Sequence, residues 1–219
     1  MPAMFTLRQL HFGRSNMAPI FRDLSLEIAS GSFVLVRGPS GAGKSTLLRL
    51  LCRLEEPTSG EVLFDGRPIN DLSPELLRRQ IPYTQQQPVL LPGSVRENLL
   101  LPFTFKANRD LPRPDDATLE THIRSFHLRG VSLKQQALAL SVGQRQRLCL
   151  IRAMLLSPRA LLLDEPTAAL DPESATAVHE DLVRLHSQGL TVVIVSHGEW
   201  RPAIKHTILT VNDGRVEAV

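Results

Sequence analysis

Two stretches of this 219-residue chain carry residue types that phosphate chemistry needs. Residues 38–45 read GPSGAGKS, matching the spacing G-x-x-x-x-G-K-[ST]. Glycines at those positions let successive backbone N–H groups curl around phosphate oxygens, and a helix starting there adds its positive end. Lys44 would then reach the outer phosphates and the Ser45 hydroxyl would ligate Mg²⁺, while Gly38, Pro39, Ser40, Gly41, Ala42, Gly43 and Thr46 form the cradle. The second stretch, LLLDEP at 161–166, ends an apolar run in two acids. Asp164 is placed to hold the hydration shell of Mg²⁺, and Glu165 to orient or deprotonate an attacking water. The full first motif, between a strand and a helix, leaves little room for a mere turn with a surface lysine, whereas the second, standing alone, reads more readily as solvated turn acids. Together they read as a nucleoside triphosphate site.

Such residues act only if strands and helices hold them. SFVLVR (32–37) is a continuous apolar run, a buried strand entering the glycine-rich loop, and KSTLLRLLCR (44–53) has helical composition. Pro57 and Gly60 punctuate the exit of that helix. ALLLD (160–164) and LTVVIVS (190–196) are two further buried strands. Leu24, Leu26 and Ile28 alternate with polar residues as in a half-buried strand, and EVLF before Asp65-Gly66 reads as strand and tight turn. Ser94 and Glu97 make a capping box, and helices are expected over 116–127 and 141–156. Pro102, Pro112 and Pro114, with Asp110, Asp115 and Asp116, mark a loop between. Pro172 opens a helix whose Ala175, Val178, Leu182 and Leu185 share one face and which Gly189 closes. Strands alternating with helices predict an α/β fold, a mostly parallel sheet covered on both faces. The segment from about 86 to 156 has no strand signal and reads as an inserted helical lobe.

Composition sets the remaining bounds. Hydrophobic residues make up 42% and charged residues 21%, ordinary for a soluble globular protein, and a net charge of +3 gives no argument for nucleic acid as a partner. Cys52 and Cys149 lie among apolar residues and are expected to be reduced core cysteines. MPAMFTLRQLHF lacks the pattern of a signal peptide, and the most apolar region, 148–163, is interrupted by Arg152, Ser157, Pro158 and Arg159. One domain is expected over 1–219, with a core lobe at 1–85 and 157–219, and any membrane role must come through a partner.

Further landmarks surround the two motifs. LSVGQRQR (140–147) precedes LLLDEP, AALD (168–171) follows it, VIVSH (193–197) ends the next strand, and YTQQQP (83–88) lies between the phosphate loop and the helical lobe. In that order they resemble the nucleotide-binding domain of ATP-binding cassette proteins over essentially the whole chain. The resemblance implies a P-loop nucleotide triphosphatase core, an antiparallel β subdomain and a helical lobe, with ATP and Mg²⁺ as cofactors. It implies that Gln86 senses Mg²⁺ and the transport partner and belongs with Glu165 and His197 in hydrolysis, His197 contacting the γ-phosphate. Ser141, Gly143 and Gln144 would form the signature that touches the γ-phosphate bound by a second subunit, and Asp171 would lie at the seam between the two. A separately encoded membrane permease would complete the complex and hold this subunit at the cytoplasmic face of the membrane.

Two positions depart from the family pattern. The signature has Val142 where a glycine is usual, so it loses easy access to positive φ and gains bulk beside the nucleotide. Ser141 and Gln144 keep the S-x-x-Q spacing of a capping box. Where an aromatic ring commonly stacks on adenine, the chain has Arg14, whose guanidinium plane can also stack, with Phe12 as the alternative ring. The wording of GSVREN and LLLPF most resembles bacterial single-domain subunits of iron export. A soluble cassette ATPase of DNA repair or translation is the competing function, but those carry long coiled-coil insertions or a second cassette. Within 87–102, Leu90, Leu91 and Val95 read either as a permease-docking face or as core of the lobe.

Overall fold

The computed structural model describes residues 2–13, 18–196 and 200–218. In chain order the elements are β1 (Ala3–Phe12), β2 (Phe21–Ala29), β3 (Phe33–Arg37), α1 (Lys44–Leu51), β4 (Ser59–Phe64), β5 (Arg67–Pro68), α2 (Pro74–Gln80) and β6 (Tyr83–Thr84). There follow α3 (Val95–Leu100), α4 (Asp116–Ser125), α5 (Val142–Met154), β7 (Ala160–Asp164), α6 (Pro172–Ser187), β8 (Thr191–Val195), β9 (Thr207–Asn212) and β10 (Arg215–Ala218). Short 3₁₀ turns, including Leu101–Thr104 and Lys106–Asn108, occupy the proline-rich stretch read as a loop.

Strands β6, β7, β8, β3 and β9 pair in parallel, and β10 closes one edge antiparallel to β9, giving the order β10-β9-β3-β8-β7-β6. A second sheet, β2-β1-β4-β5, is antiparallel throughout. The mostly parallel α/β architecture is therefore present, with its antiparallel sheet beside it. Between β6 and β7 the named elements are α3, α4, α5 and 3₁₀ turns, without a strand among the described residues.

Side-chain alternation along the buried strands decides what covers each face. Val34, Val36, Leu162, Val193 and Val195 point to one face and pack with Leu47, Leu48 and Leu51 of α1 and with Phe5, Leu7 and Phe64 of the antiparallel sheet. Phe33, Leu35, Leu161, Leu163, Val192 and Ile194 point to the other and pack with α3 to α6 through Leu99, Ile123, Leu148, Ile151, Val178 and Leu182. Each fully buried aliphatic side chain contributes about 1.5–3 kcal/mol, so a one-residue register slip in any central strand would forfeit several at once. The apolar interior of the helical segment is thus continuous with one face of the sheet that ends in the acids. Cys52 and Cys149 are buried free thiols, and burial pushes Cys52 up to about 11 and raises Cys149 as well, which keeps both protonated. Among the described residues, no helix is long and apolar enough to cross a membrane.

Candidate active site

The phosphate loop leaves β3 and enters α1 through two glycines that tolerate no side chain. A Cβ on Gly38 (φ +147°) would lie 2.0 Å from the Val211 carbonyl oxygen, and one on Gly43 (φ +104°) would lie 2.5 Å from Ile20. Gly43 also occupies the N-cap of α1, where no side chain caps the helix, so the first N–H groups stay directed into the loop. Lys44 opens the helix and is nearly fully buried; its Nζ donates to the carbonyl oxygens of Gly38 at 3.0 Å and Pro39 at 2.8 Å. The ammonium group therefore lies across its own loop.

The acids at the end of β7 are each held by two partners. Asp164 is buried; its Oδ1 accepts from the Ser45 hydroxyl at 2.9 Å and its Oδ2 from the Tyr83 hydroxyl at 2.7 Å. Burial, and then the bond to Asp164, push the Tyr83 phenol up to about 12, so it stays a donor. Glu165 sits in the left-handed region at φ 49°, a conformation that costs a non-glycine residue about 1 kcal/mol and turns its side chain away from that of Asp164. Its N–H donates to the Val195 carbonyl oxygen at 3.1 Å, and its Oε2 accepts from Nε2 of Gln86 at 3.2 Å. Ser45, Asp164, Glu165 and Gln86 thus converge beside Lys44. Tyr83 was not among the expected site residues. It is the only tyrosine of the chain and falls on the strand just before Gln86, which was the available signal.

The donor set fits a magnesium nucleotide better than a protein-only cage. No group of three or more His, Cys, Asp or Glu side chains that could hold a metal occurs among the described residues. One hydroxyl and one carboxylate, both hard oxygen donors, instead face a loop of backbone N–H groups. Mg²⁺ takes that kind of site, keeping waters and sharing ligands with substrate phosphates.

The signature segment starts α5. Ser141 is the N-cap, its Oγ accepting from the Gln144 N–H at 3.2 Å, while Oε1 of Gln144 accepts from the Ser141 N–H at 3.0 Å. The capping box expected from the spacing is closed in both directions. Val142 is the first helical residue and is not at positive φ, so the expected loss of access to that region does not apply here: a helix N-terminus asks for ordinary φ, which valine supplies. Gly143 is the constrained position instead, because a Cβ there would meet Ser174 of α6 at 2.7 Å. Val142→Gly should therefore relieve no strain. Nucleotide affinity of the isolated chain is expected to stay within about twofold of wild type, and thermal stability to fall by about 1 kcal/mol or less through lost helix propensity. Nucleotide titration and a thermal melt check both, and a large affinity change would contradict the placement.

Asp171 caps α6, its Oδ1 accepting from the Ser174 N–H at 2.9 Å, and that bond holds its carboxyl below the usual carboxylate range. Ser174 thus serves the cap of α6 and the seat of Gly143 together. Arg14 and His197 lie outside the described residues. Phe12 is buried in β1 against the core, so the suggestion that its ring could swing toward a base fails.

A family model described as ABC transporter matches residues 21–168, more than half of the chain. The chain belongs to the ABC transporter family. Against the probable iron export ATP-binding protein FetA of Escherichia coli (strain K12), it is 38% identical over 181 residues, covering 82% of this chain and 79% of that protein. Mouse ATP-binding cassette sub-family B member 10, mitochondrial, is 42% identical over 184 residues, but the match spans only 26% of that longer protein. Among solved structures, cbiO1 from Clostridium perfringens, part of the ABC transporter complex cbiONQ, superposes with a TM-score of 0.85 at 25% identity, covering 99% of this chain and 88% of that one. The ABC ATPase fold is thereby established, and with it ATP binding and ATP hydrolysis as the activity of a transporter subunit. Nothing in these relationships supports the DNA-repair or translation alternative.

Proposed function

We propose that two copies of this chain bind two ATP molecules at a shared seam and drive a separately encoded permease, at the cytoplasmic face of the membrane. The observation that carries the site assignment is the convergence of Ser45, Asp164 and Tyr83 on one side and Gln86 and Glu165 on the other at the phosphate loop. Gly38 to Lys44 cradle the phosphates, with Thr46 behind them, and Ser45, Asp164 and Gln86 hold Mg²⁺ and its waters. Bound Mg²⁺ supplies charge neutralisation between the outer phosphates. Glu165 orients the attacking water, His197 contacts the γ-phosphate, and Arg14 stacks on the base. Ser141, Gly143 and Gln144 meet the γ-phosphate held by the other copy, with Asp171 beside them at the seam. In the capping box the N–H groups of Val142 and Gly143 precede the first intrahelical bond, Arg145 N–H to Ser141 carbonyl, and point out of the helix end. The chain acts as one nucleotide-binding domain, its core lobe at 1–85 and 157–219 and its helical lobe at about 86–156.

The energy leaves through the loop between Gln86 and α3. Val89 and Leu91 are exposed, yet their backbones are fixed: Arg152 donates to the Val89 carbonyl oxygen at 2.8 Å, and buried Asn98 bonds both backbone groups of Leu91. Val89 borders a groove of about 310 Å³ lined also by Tyr83, Gln85, Pro88, Cys149 and Arg152, and Leu91 lies two residues further along the same exposed loop. Val95, by contrast, is fully buried and belongs to the core. Leu91→Asp is expected to weaken binding to the cognate permease by about 2 kcal/mol, roughly thirtyfold, while ATP affinity stays unchanged. Arg96→Glu tests the same face less cleanly, because Arg96 pairs with Asp116 at 2.6 Å and reversal would set two negative charges together. A permease pull-down at fixed salt, run beside nucleotide binding, checks the pair. Wild-type retention of folded Leu91→Asp would place the docking face elsewhere.

The solute is set by the permease, and likeness to FetA extends the proposal to iron export. Iron efflux from vesicles holding the permease and this subunit, dependent on ATP, is the expected result; efflux without ATP or no efflux would refute it.

A further inference from the structure

Trp200, the only tryptophan of the chain, is fixed at three points just past the end of β8. Its carbonyl oxygen accepts from Nη2 of Arg37 at 2.7 Å, and Arg37 is the last residue of β3, adjoining Gly38 of the phosphate loop. Its indole lies flat on the His179 imidazole of α6, with ring centroids 3.7 Å apart and planes 3° from parallel. Its edge meets Phe33 of β3 at 5.9 Å. His179 in turn reaches Oγ1 of Thr167 through Nε2 at 3.5 Å, and Thr167 stands two residues beyond Glu165 in the turn where the Ala168 N–H donates to the Glu165 carbonyl oxygen. Burial pushes the His179 imidazole down to about 4, so the ring is neutral at physiological pH and stacks without a charge to desolvate.

Three segments that serve the site from different parts of the sequence are therefore joined through Trp200 and His179, one at the Trp200 carbonyl oxygen, one at its indole and one through the His179 ring. They are the root of the phosphate loop, the turn that presents Glu165, and α6, which is capped by Asp171 and seats Gly143 through Ser174. A parallel stack of a neutral imidazole on indole fixes ring orientation as well as distance. Arg37 commits its guanidinium to this contact although its Nε is buried without a partner among the described residues. Simple core filling would need neither the hydrogen bond nor the parallel rings.

We propose that Trp200 is a positioning residue for ATP turnover, clasped between Arg37 and His179 so that α6 and the Glu165 turn keep a fixed relation to the phosphate loop. The proposal rests on the reading of residues 38–45 as the ATP site and of Glu165 as the water-orienting group. Its predicted signature is a loss in kcat with little change in KM, because the clasp touches neither phosphate nor base and acts on where Glu165 stands.

The test uses the full chain, with its permease where turnover requires it, and three proteins: wild type, His179→Leu and His179→Phe. In wild type, Trp200 emission should change on saturation with a non-hydrolysable ATP analogue, following the same binding curve as the nucleotide. His179→Leu is expected to bind the analogue as wild type does, with a smaller emission change, and to lose kcat roughly three- to tenfold with KM within about twofold. His179→Phe restores a flat ring for the stack but loses the contact with Thr167, so it should recover part of the kcat that His179→Leu loses and fall between that variant and wild type. Thermal melts of all three separate folding from positioning. Wild-type kcat in folded His179→Leu overturns the proposal, as does an equal fall in both variants that tracks an equal loss of Tm. If wild type itself fails to bind the analogue, the reading of the ATP site falls and the positioning role falls with it.

Discussion

Glu165→Gln is expected to bind ATP with wild-type affinity and to hydrolyse it at least a hundredfold more slowly, the scale of losing a positioned general base. The substitution keeps the size and the backbone preference of the residue, so the left-handed turn at φ 49° is as accessible to it as to glutamate. It also keeps an oxygen able to accept from Gln86. What it removes is the negative charge that draws a proton from water. Phosphate release under saturating Mg²⁺-ATP, beside an equilibrium binding measurement, reads the two properties separately. Full turnover by this variant would strip Glu165 of its role and shift attention to Asp164, the other acid of the pair. Loss of binding would show that Glu165 serves the ground state rather than hydrolysis.

Lys44→Ala is expected to reduce ATP affinity by about 3 kcal/mol or more, above a hundredfold, as the sum of charge-assisted hydrogen bonds to phosphate that a buried ammonium can make. The lysine bonds the Gly38 and Pro39 carbonyl oxygens across the loop, and those bonds must give way to phosphate oxygens on binding. Alanine would leave the Gly38 carbonyl oxygen without a donor, while that of Pro39 keeps the Ala42 N–H at 3.3 Å, a cost of about 1–3 kcal/mol in stability. Lys44→Met, which keeps the aliphatic stem, should match the binding loss with a smaller drop in melting temperature. Calorimetric titration with ATP and a melt of each variant resolve the two effects, and micromolar binding by folded Lys44→Met would contradict the assignment.

The buried parallel strands were legible because continuous apolar runs ending at a glycine or an acid leave few alternatives: SFVLVR, ALLLD and LTVVIVS became β3, β7 and β8 within a residue or two. Helix ends were legible where cap chemistry is local, as at Ser94, Ser141 and Gly189, the last at φ +96° beyond α6. The missed elements were those specified by pairing. Tyr83–Thr84 is two residues long and is a strand only because β7 lies beside it, and β9 owes its place to β3. The β9–β10 hairpin and α2 do carry local signals, Asp213-Gly214 at the turn and Ser73-Pro74 at the helix start. At the site, the order of motifs named the phosphate loop and the two acids. It could not show Tyr83 on Asp164 or Trp200 on His179, because those contacts join residues far apart in sequence. The signature differs from expectation for a related reason: the steric demand that glycine meets falls on position 143, where α6 passes, and not on Val142.

Pairing of two copies around ATP is read directly from the mass of the chain in solution. Glu165→Gln, which should trap bound ATP, is run through size exclusion with light scattering, with and without Mg²⁺-ATP. The 24.3 kDa chain mass is expected without nucleotide and twice that mass with it, the doubling lost in Ser141→Glu although that variant still binds ATP. A single-chain mass in saturating ATP, with nucleotide demonstrably bound, would contradict it.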